Sequence, residues 1–314
     1  MPTALIFGLS GQDGSYLAKF LLNKNYNVFG TTRNIKGASN QILNKLNDGL
    51  KKINFNFESY EDCESLIKKV KPQEIYFLIG PSSIAESIKS SSSYLSSHLK
   101  KLEMLLSAIT KIDNSISILI PSSCEIFQDN KDDSLTEYSN ISPRTPYAIL
   151  KTAYLFLSRF YRDEKGLKIY NPILFNHEST LRNSTFVTKK ITDSVLAISG
   201  GADLKLTLGN INVIRDWGWA PEFVEGFWLM MHQDKFFELN FATGKSISLR
   251  EFADIAFSKR GLNYLDHILT DDSLIRANEV ISRKADISKL RLALNWYPKI
   301  QVEKVIENLL MQKL

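Results

Sequence analysis

Two side chains that can move a proton, Tyr147 and Lys151, stand four residues apart in the stretch RTPYAILK. In a helix this spacing puts both side chains on one face. A free tyrosine has a pKa of about 10, too high for a base at neutral pH. A neighbouring ammonium group favours the phenolate and lowers that pKa. The pair therefore predicts a base that accepts the proton of a sugar hydroxyl while hydride leaves the same carbon for a nicotinamide.

Two further candidates lie upstream in PSSCE, directly after a predicted strand. In a doubly wound sheet the carboxyl ends of the strands face the ligand crevice. Ser123 can hydrogen-bond the hydroxyl that is oxidised, and Glu125 can act as a general acid or base. The alternative for Glu125 is a solvated loop carboxylate.

A glycine-rich turn, GLSGQDG, follows the first predicted strand and opens a helix. Small residues there let the backbone approach a pyrophosphate, and the helix N-terminus supplies N–H groups and partial positive charge. The predicted cofactor-binding residues of this turn are Gly8, Gly11, Gln12, Asp13 and Gly14.

The second predicted strand ends in TTRN. NAD sites usually place a carboxylate here, whereas an arginine accommodates the 2′-phosphate of NADP. Arg33 and the lack of Asp or Glu favour NADP, with NAD as the alternative. The alternative for Arg33 is a solvated surface residue.

Strand and helix patterns alternate through the first half of the chain, which predicts a parallel sheet covered on both faces. The fold class is α/β, a Rossmann-like doubly wound parallel sheet with a smaller mixed C-terminal substrate-binding lobe. Residues 1–174 form the dinucleotide-binding domain, with later returns near 211–243, and residues 175–314 form mainly the substrate lobe. The serine-rich stretch Ser90–Ser97 is interpreted as a loop running into a helix, since apolar residues return at Leu99, Leu102, Leu105 and Leu106. Predicted strands are 4–7, 27–32, 53–57, 74–79, 117–120, 167–174 and 239–242, and predicted helices are 12–25, 61–70, 94–112, 145–162, 185–198, 220–231, 249–258 and a last one from 302.

Composition excludes several classes of protein. With 44% apolar and 23% charged residues, the chain is typical of soluble globular proteins. The net charge of +5 is spread along the chain, so we expect no nucleic-acid partner, although a mildly basic balance suits a nucleotide sugar. No apolar run approaches the ~20 residues needed to span a bilayer, and no signal peptide is expected. Two cysteines form no disulfide framework, which predicts a cytoplasmic protein, and four scattered histidines predict no metal.

The chain resembles the extended short-chain dehydrogenases/reductases, and within them the GDP-mannose 4,6-dehydratases. The resemblance runs nearly end to end and is carried by GLSGQDGSYLA, PRTPY, ILFNHES, TFVTKKI, LGN and RDWG. It implies a GDP-sugar substrate and a homodimer or homotetramer. It assigns Tyr147 as the base at C4 with Lys151 as its partner, Ser123 as a sugar contact, and Glu125 as the carboxylate that moves the C5 proton. The substrate-binding residues are Ser82, Asn176, Val187, Lys190, Arg215, Arg276 and Glu279.

Departures from the family pattern crowd around the cofactor. Phe7 replaces the usual Thr before the first glycine, and Asn34 replaces the second of two arginines that bind the cofactor phosphate. Ser59-Tyr60 replaces an Asp-Leu that touches adenine, Gly80–Ser83 replaces an Ala-Gln-Ser-His-like loop, and Cys124 replaces a small hydroxyl residue.

Three functions follow. The first is NADP-dependent dehydration of a GDP-hexose, GDP-mannose or a close relative, to the 4-keto-6-deoxy sugar. The second is a 4-dehydrogenase or epimerase on a GDP-hexose or GDP-heptose, without loss of water. The third is a non-catalytic relative that only binds the nucleotide or cofactor.

Overall fold

The structure, a computed structural model, describes residues 1–35, 42–46, 49–80, 84–89, 91–129, 134–275 and 279–311. Two predicted substrate-binding residues, Ser82 and Arg276, lie outside these ranges. None of the helices in the described ranges is both long and apolar enough to cross a bilayer.

The elements are numbered in chain order. The strands are β1 Thr3–Phe7, β2 Asn27–Thr32, β3 Leu50–Asn54, β4 Glu74–Phe77, β5 Ser117–Leu119, β6 Ser122–Ser123, β7 Lys168–Leu174, β8 Asn176–Glu178, β9 Leu206–Leu208, β10 Ile214–Trp219, β11 Glu238–Phe241, β12 Ser246–Ser248, β13 Ile268–Thr270 and β14 Ser282–Arg283. The helices are α1 Gln12–Asn23, α2 Tyr60–Val70, α3 Ile84–Lys89, α4 Ser91–Ile112, α5 Pro146–Lys165, α6 Val187–Ser199, α7 Ala220–Met231, α8 Leu249–Ser258, α9 Ser288–Leu294 and α10 Val302–Leu310.

The chain divides into two compact units. Unit 1 comprises Met1–Gln128, Asn140–Leu174 and Val224–Leu239, and unit 2 comprises Asp129–Ser139, Phe175–Phe223 and Asn240–Leu314.

Unit 1 is built on a sheet in the order β11-β7-β5-β4-β1-β2-β3, in which β1 to β5 and β7 pair in parallel. Starting from β3, this order is that of a doubly wound nucleotide-binding sheet. The central strand β1 is a continuous apolar run because both faces of the sheet are buried there; Ala4 to Phe7 have no exposed surface. The predicted Rossmann-like α/β fold is confirmed.

Two sequence predictions in this unit are wrong. The serine-rich stretch is not a loop, since α4 begins at Ser91. The third strand lies at Leu50–Asn54 rather than 53–57, because Phe55 and Phe57 turn away from the strand to pack on Phe7.

Unit 2 has its own core and small sheets. Strands β12, β10 and β14 form one sheet, β8 pairs with β10, and β13 pairs with β9. Apolar faces of α6, α8 and α10 pack together around residues such as Ile191, Phe252 and Ile306, each fully buried. This packing gives the unit a core separate from that of the large sheet.

Candidate active site

The first turn of α5 places Tyr147. Thr145 is the N-cap residue, its hydroxyl accepting a hydrogen bond from the Ala148 N–H at 3.2 Å, and Pro146 follows at the first helical position. The Tyr147 N–H, which has no partner within the helix, donates to the Ser87 hydroxyl at 3.2 Å. The start of the helix is therefore fixed by side chains, and the orientation of Tyr147 with it.

The predicted Tyr147–Lys151 pair lies on one face of α5, but its electrostatics differ from expectation. Lys151 Nζ donates to the Pro121 carbonyl at 3.0 Å and lies 5.9 Å from the centre of the Tyr147 ring. Burial, the largest influence, raises the pKa of Tyr147 above its ordinary value even though a hydrogen bond with Ser123 acts to lower it. Burial likewise lowers the pKa of Lys151 to about 8, with the Asp13 carboxylate opposing that change. The expected lowering of the tyrosine pKa by Lys151 is wrong, because desolvation is the largest influence and raises the pKa of Tyr147.

Ser123 and Glu125 lie beside this pair. Ser123 ends β6 and is buried, and its hydroxyl also accepts a hydrogen bond from the Glu125 N–H at 3.3 Å. The Glu125 carboxylate is partly exposed and close enough to Tyr147 to act on its ionisation. All four predicted catalytic side chains therefore meet at the carboxyl ends of the central strands of unit 1.

Sequence reasoning missed one side chain of this cluster, Tyr94 on α4. Its ring is 8% exposed, and its hydroxyl is buried without a hydrogen-bond partner among the described residues. It acts electrostatically on Tyr147 and Tyr154, and burial raises its own pKa to about 12. A buried hydroxyl without a partner is costly, so Tyr94 is a candidate ligand contact. Because Tyr94 follows a run of serines that is typical of a loop, its buried position could not be predicted.

The glycine turn fits a dinucleotide pyrophosphate. Gly8 has φ +94°, and a Cβ there would lie 2.9 Å from the backbone of Leu78. A Cβ on Gly14 would lie 2.2 Å from the Gly8 carbonyl oxygen. The turn therefore requires glycine at both positions. Helix α1 begins directly after Gly11, and this N-cap residue has no side chain that could cap the first N–H groups. Its first N–H groups suit an anion, with Gln12 and Asp13 in the first turn.

The residues around the end of β2 and β3 have defined roles. Arg33 follows β2 and is exposed. Ser59 forms a capping box with Asp62 at the start of α2, and the Tyr60 hydroxyl donates to Glu103. Phe7 packs edge-on or tilted against Phe55, Phe57 and Phe77, with ring centres 5.2–6.1 Å apart. The departures Phe7 and Ser59-Tyr60 thus serve the packing of unit 1.

Three predicted substrate-binding residues of unit 2 lie on β8 and α6. Asn176 begins β8, where it pairs with Trp217 of β10 and is partly exposed. Val187 begins α6, and Lys190, three residues on, is exposed on the same face. The exposed ammonium near a helix N-terminus is suited to an anionic ligand.

The Arg215 side chain contacts the backbone of the segment that follows Glu279. The Arg215 guanidinium donates to the carbonyls of Ile214 at 2.8 Å, Ile281 at 3.3 Å and Val280 at 2.8 Å. Glu279, next to Val280, has a buried carboxylate oxygen without a hydrogen-bond partner in the described part of the chain. Much of the Arg215 fork is therefore occupied by backbone, which was not foreseen.

The RDWG segment that includes Arg215 is mainly structural. Asp216 is buried and accepts hydrogen bonds from the Thr243 N–H and hydroxyl and the Gly244 N–H at 2.8–2.9 Å. Trp217, Trp219 and Phe223 are buried.

Solved structures share this fold over nearly the whole chain. A dTDP-glucose 4,6-dehydratase from Bacillus anthracis, in complex with NAD, superimposes with a TM-score of 0.85 at 16% identity, covering 99% of this chain and 96% of its own. RMD from Pseudomonas aeruginosa, complexed with NADPH, gives a TM-score of 0.81 at 18% identity, with 99% and 98% covered. These likenesses show that the chain shares the α/β fold of these proteins.

Sequence comparison identifies the family. The profile of the family described as GDP-mannose 4,6 dehydratase matches residues 5–309. GDP-mannose 4,6 dehydratase 1 of Arabidopsis thaliana is 36% identical, with 97% of this chain and 87% of the relative covered. GDP-mannose 4,6-dehydratase of Yersinia enterocolitica is 32% identical, with 97% and 92% covered. The chain belongs to the GDP-mannose 4,6-dehydratase family of extended short-chain dehydrogenases/reductases.

Proposed function

We propose that the protein is an NADP-dependent lyase that dehydrates GDP-mannose to the 4-keto-6-deoxy sugar nucleotide. Membership of the family carries the proposal, together with the cluster of Ser123, Glu125, Tyr147 and Lys151 at the strand ends of unit 1. A non-catalytic binding protein would have no use for this complete set of proton-transferring groups.

Each side chain has a proposed step. A bound nicotinamide would supply the redox chemistry, which is the transfer of a hydride from C4 of the sugar and its later return to C6. Tyr147, hydrogen-bonded to Ser123, accepts the proton of the C4 hydroxyl, and Lys151 stabilises the phenolate that forms. The C4 ketone acidifies the C5–H bond. Glu125 removes the C5 proton and returns a proton to the departing C6 hydroxyl, which leaves as water. As hydride returns to C6, a proton must be added at C5, which consumes the proton that Tyr147 took from the C4 hydroxyl and restores the base.

The proposed ligand contacts divide between the two units. Gly8, Gly11, Gln12, Asp13, Gly14 and Arg33 would hold the dinucleotide together with Tyr147 and Lys151. The choice of NADP is supported by Arg33 at the end of β2, where no described neighbour from Thr31 to Ile35 is acidic. Asn176, Val187, Lys190, Arg215 and Glu279 would bind the GDP-sugar, as would Ser82 and Arg276.

We also propose a homo-oligomer, dimer or tetramer. Three apolar side chains of α5, Ile149, Phe156 and Phe160, are 45%, 50% and 49% exposed. Their spacing puts them in one stripe along the helix. Large exposed apolar groups in a row are typical of an interface.

Mass spectrometry of GDP-mannose incubated with the protein and NADP tests the proposed reaction. We expect a product that has lost one water, with no net change in the cofactor. An oxidised sugar that retains the C6 oxygen would instead support the 4-dehydrogenase, and an isomer of unchanged mass would support the epimerase.

A further inference from the structure

One face of α4 carries three side chains that lie near the carboxyl ends of strands in unit 1. Tyr94, His98 and Lys101 are spaced by four and three residues, so they lie on the same side of this 22-residue helix. The Tyr94 and His98 rings are 5.0 Å apart, and His98 Nδ1 donates to the Tyr94 carbonyl at 2.8 Å. These contacts fix the side chains along a line.

The three residues meet successive parts of unit 1. Tyr94 lies close enough to Tyr147, in the catalytic cluster, to raise the pKa of that residue electrostatically. His98 lies beside the loop after β4, since a Cβ on Gly80 would be 4.0 Å from its ring. Lys101 lies within electrostatic reach of Arg33, which follows β2. The strand order is β5-β4-β1-β2. The face therefore extends from the strand ends near Tyr147 towards the end of β2, where a dinucleotide places its adenine ribose.

Lys101 and Arg33 form a pair of like charges. Burial first, and then the Arg33 guanidinium, lowers the pKa of Lys101. Burial also lowers the pKa of His98, whereas its hydrogen bond to the Tyr94 carbonyl acts to raise it. The nearby positive charges of Lys101, Lys151 and Arg33 lower that pKa further. Within the described ranges, neither Lys101 nor Arg33 has an ion pair with a carboxylate. Two adjacent cations without a counter-charge are suited to an anion.

The position of the pair selects the anion. The pyrophosphate is assigned to the glycine turn after β1, whereas the end of β2 is where a dinucleotide places its adenine ribose. A phosphate on that ribose would face Arg33. The residue after Arg33 is Asn34, an uncharged side chain that cannot supply the second positive charge.

We propose that Lys101, on α4, provides with Arg33 the second cationic contact for the 2′-phosphate of the cofactor, in place of an arginine at position 34. The inference rests on the proposed use of NADP, and it assigns a cofactor-selecting role to a helix residue distant in sequence from the β2 end.

Binding of two small probes to the intact protein tests the proposal without turnover. Calorimetry would compare 2′,5′-ADP, which carries the 2′-phosphate, with 5′-ADP, which lacks it. We expect the parent protein to prefer 2′,5′-ADP. Lys101→Ala should weaken 2′,5′-ADP by roughly tenfold, the size expected for loss of a charge-assisted contact, and leave 5′-ADP unchanged. Lys101→Arg should retain the preference.

Lys100→Ala is the matched control, because Lys100 is the exposed neighbour on the same helix. It should bind both probes like the parent. Equal weakening of both probes by Lys101→Ala, or no weakening, would overturn the inference.

Two results separate this inference from the proposed function. If Arg33→Ala abolishes the preference and Lys101→Ala does not, NADP selection stands and the role of Lys101 fails. If the parent binds both probes equally yet dehydrates GDP-mannose with NAD, the reaction stands and both the 2′-phosphate site and the role of Lys101 fail.

Discussion

At the scale of single residues, the central observation is that burial controls the ionisation of the catalytic pair. Tyr147 has its pKa raised and Lys151 has its pKa lowered to about 8, both chiefly by desolvation. The charged form of each side chain is therefore costly in this buried position.

Replacement of Tyr147 by phenylalanine tests the proposed base. The ring and its packing remain, but the hydroxyl that bonds Ser123 is lost. We expect turnover to fall by on the order of 10²-fold or more, as for a lost general base, with an unchanged circular dichroism spectrum. Near-normal turnover would exclude Tyr147 as the base.

The lowered pKa of Lys151 predicts a pH-dependent stability. Its folded-state value of about 8 lies below the unfolded value of about 10.4. Between these values the unfolded chain binds more protons, so the contribution of Lys151 to stability rises with pH. Relative to Lys151→Met, the parent should gain on the order of 1–2 kcal/mol between pH 7 and 9.5. Urea unfolding at both pH values measures this. A constant difference between the two proteins would show that Lys151 is not desolvated.

Glu125 separates dehydration from simple oxidation. Glu125→Gln keeps the size of the side chain but removes the base, so C5 deprotonation should nearly stop while oxidation at C4 continues. We expect reduced nicotinamide to accumulate transiently in its absorbance band with GDP-mannose. Deuterium exchange at C5 and loss of water should both be nearly absent in the variant and present in the parent. Normal water loss by the variant would return Glu125 to the role of a loop carboxylate.

At the scale of elements, long segments with a strong apolar periodicity could be predicted from the sequence. Strands of two or three residues could not. The bounds of β2, α7 and α8 agree with the sequence prediction, because apolar spacing and flanking turn residues define them. Strands such as β6, β8 and β14, of two or three residues, form only through pairing with distant segments. The sequence has no local pattern that would mark them.

The same distinction applies to the candidate site. Tyr147, Lys151, Ser123 and Glu125 could be assigned because motif and strand-end position coincide. Tyr94 could not, because its importance comes from burial beside Tyr147. The backbone contacts of Arg215 likewise depend on the pairing of β10 with β14, which brings Ile281 and Val280 to its side chain.

The apolar stripe on α5 predicts the effect of surface changes on assembly. Phe156→Ser with Phe160→Ser removes two half-exposed rings, so little folding energy should be lost while an interface loses its apolar centre. We expect the parent to be a dimer or tetramer by light scattering and the double variant to dissociate. Both side chains are half-exposed on α5 and replaceable without opening the core, so secondary structure should persist.

An exposed pair elsewhere provides the control for this prediction. Leu265 and Leu269 of unit 2 are 67% and 53% exposed, and their replacement by serine should leave the mass unchanged. If the α5 variant keeps the parent's mass, the stripe is not the interface.

At the scale of the whole molecule, each of the two units is assembled from three separate segments of the chain, and the last segment of unit 1 is Val224–Leu239. Trp228, in that last segment, donates a hydrogen bond of 2.8 Å to the hydroxyl of Tyr26, which in turn donates to Glu74 at 2.8 Å. The dinucleotide-binding fold therefore depends on residues well beyond its six parallel strands.

This arrangement has a consequence for the nascent chain on the ribosome. Strand β7 ends at Leu174, but its outer neighbour β11 begins only at Glu238, about sixty residues later. At roughly 5–20 residues per second, translation would leave that strand edge open for on the order of several seconds. An unpaired edge next to an apolar sheet invites pairing with other chains. The interval between synthesis of β7 and of β11 is thus the period in which this protein is most exposed to misassembly.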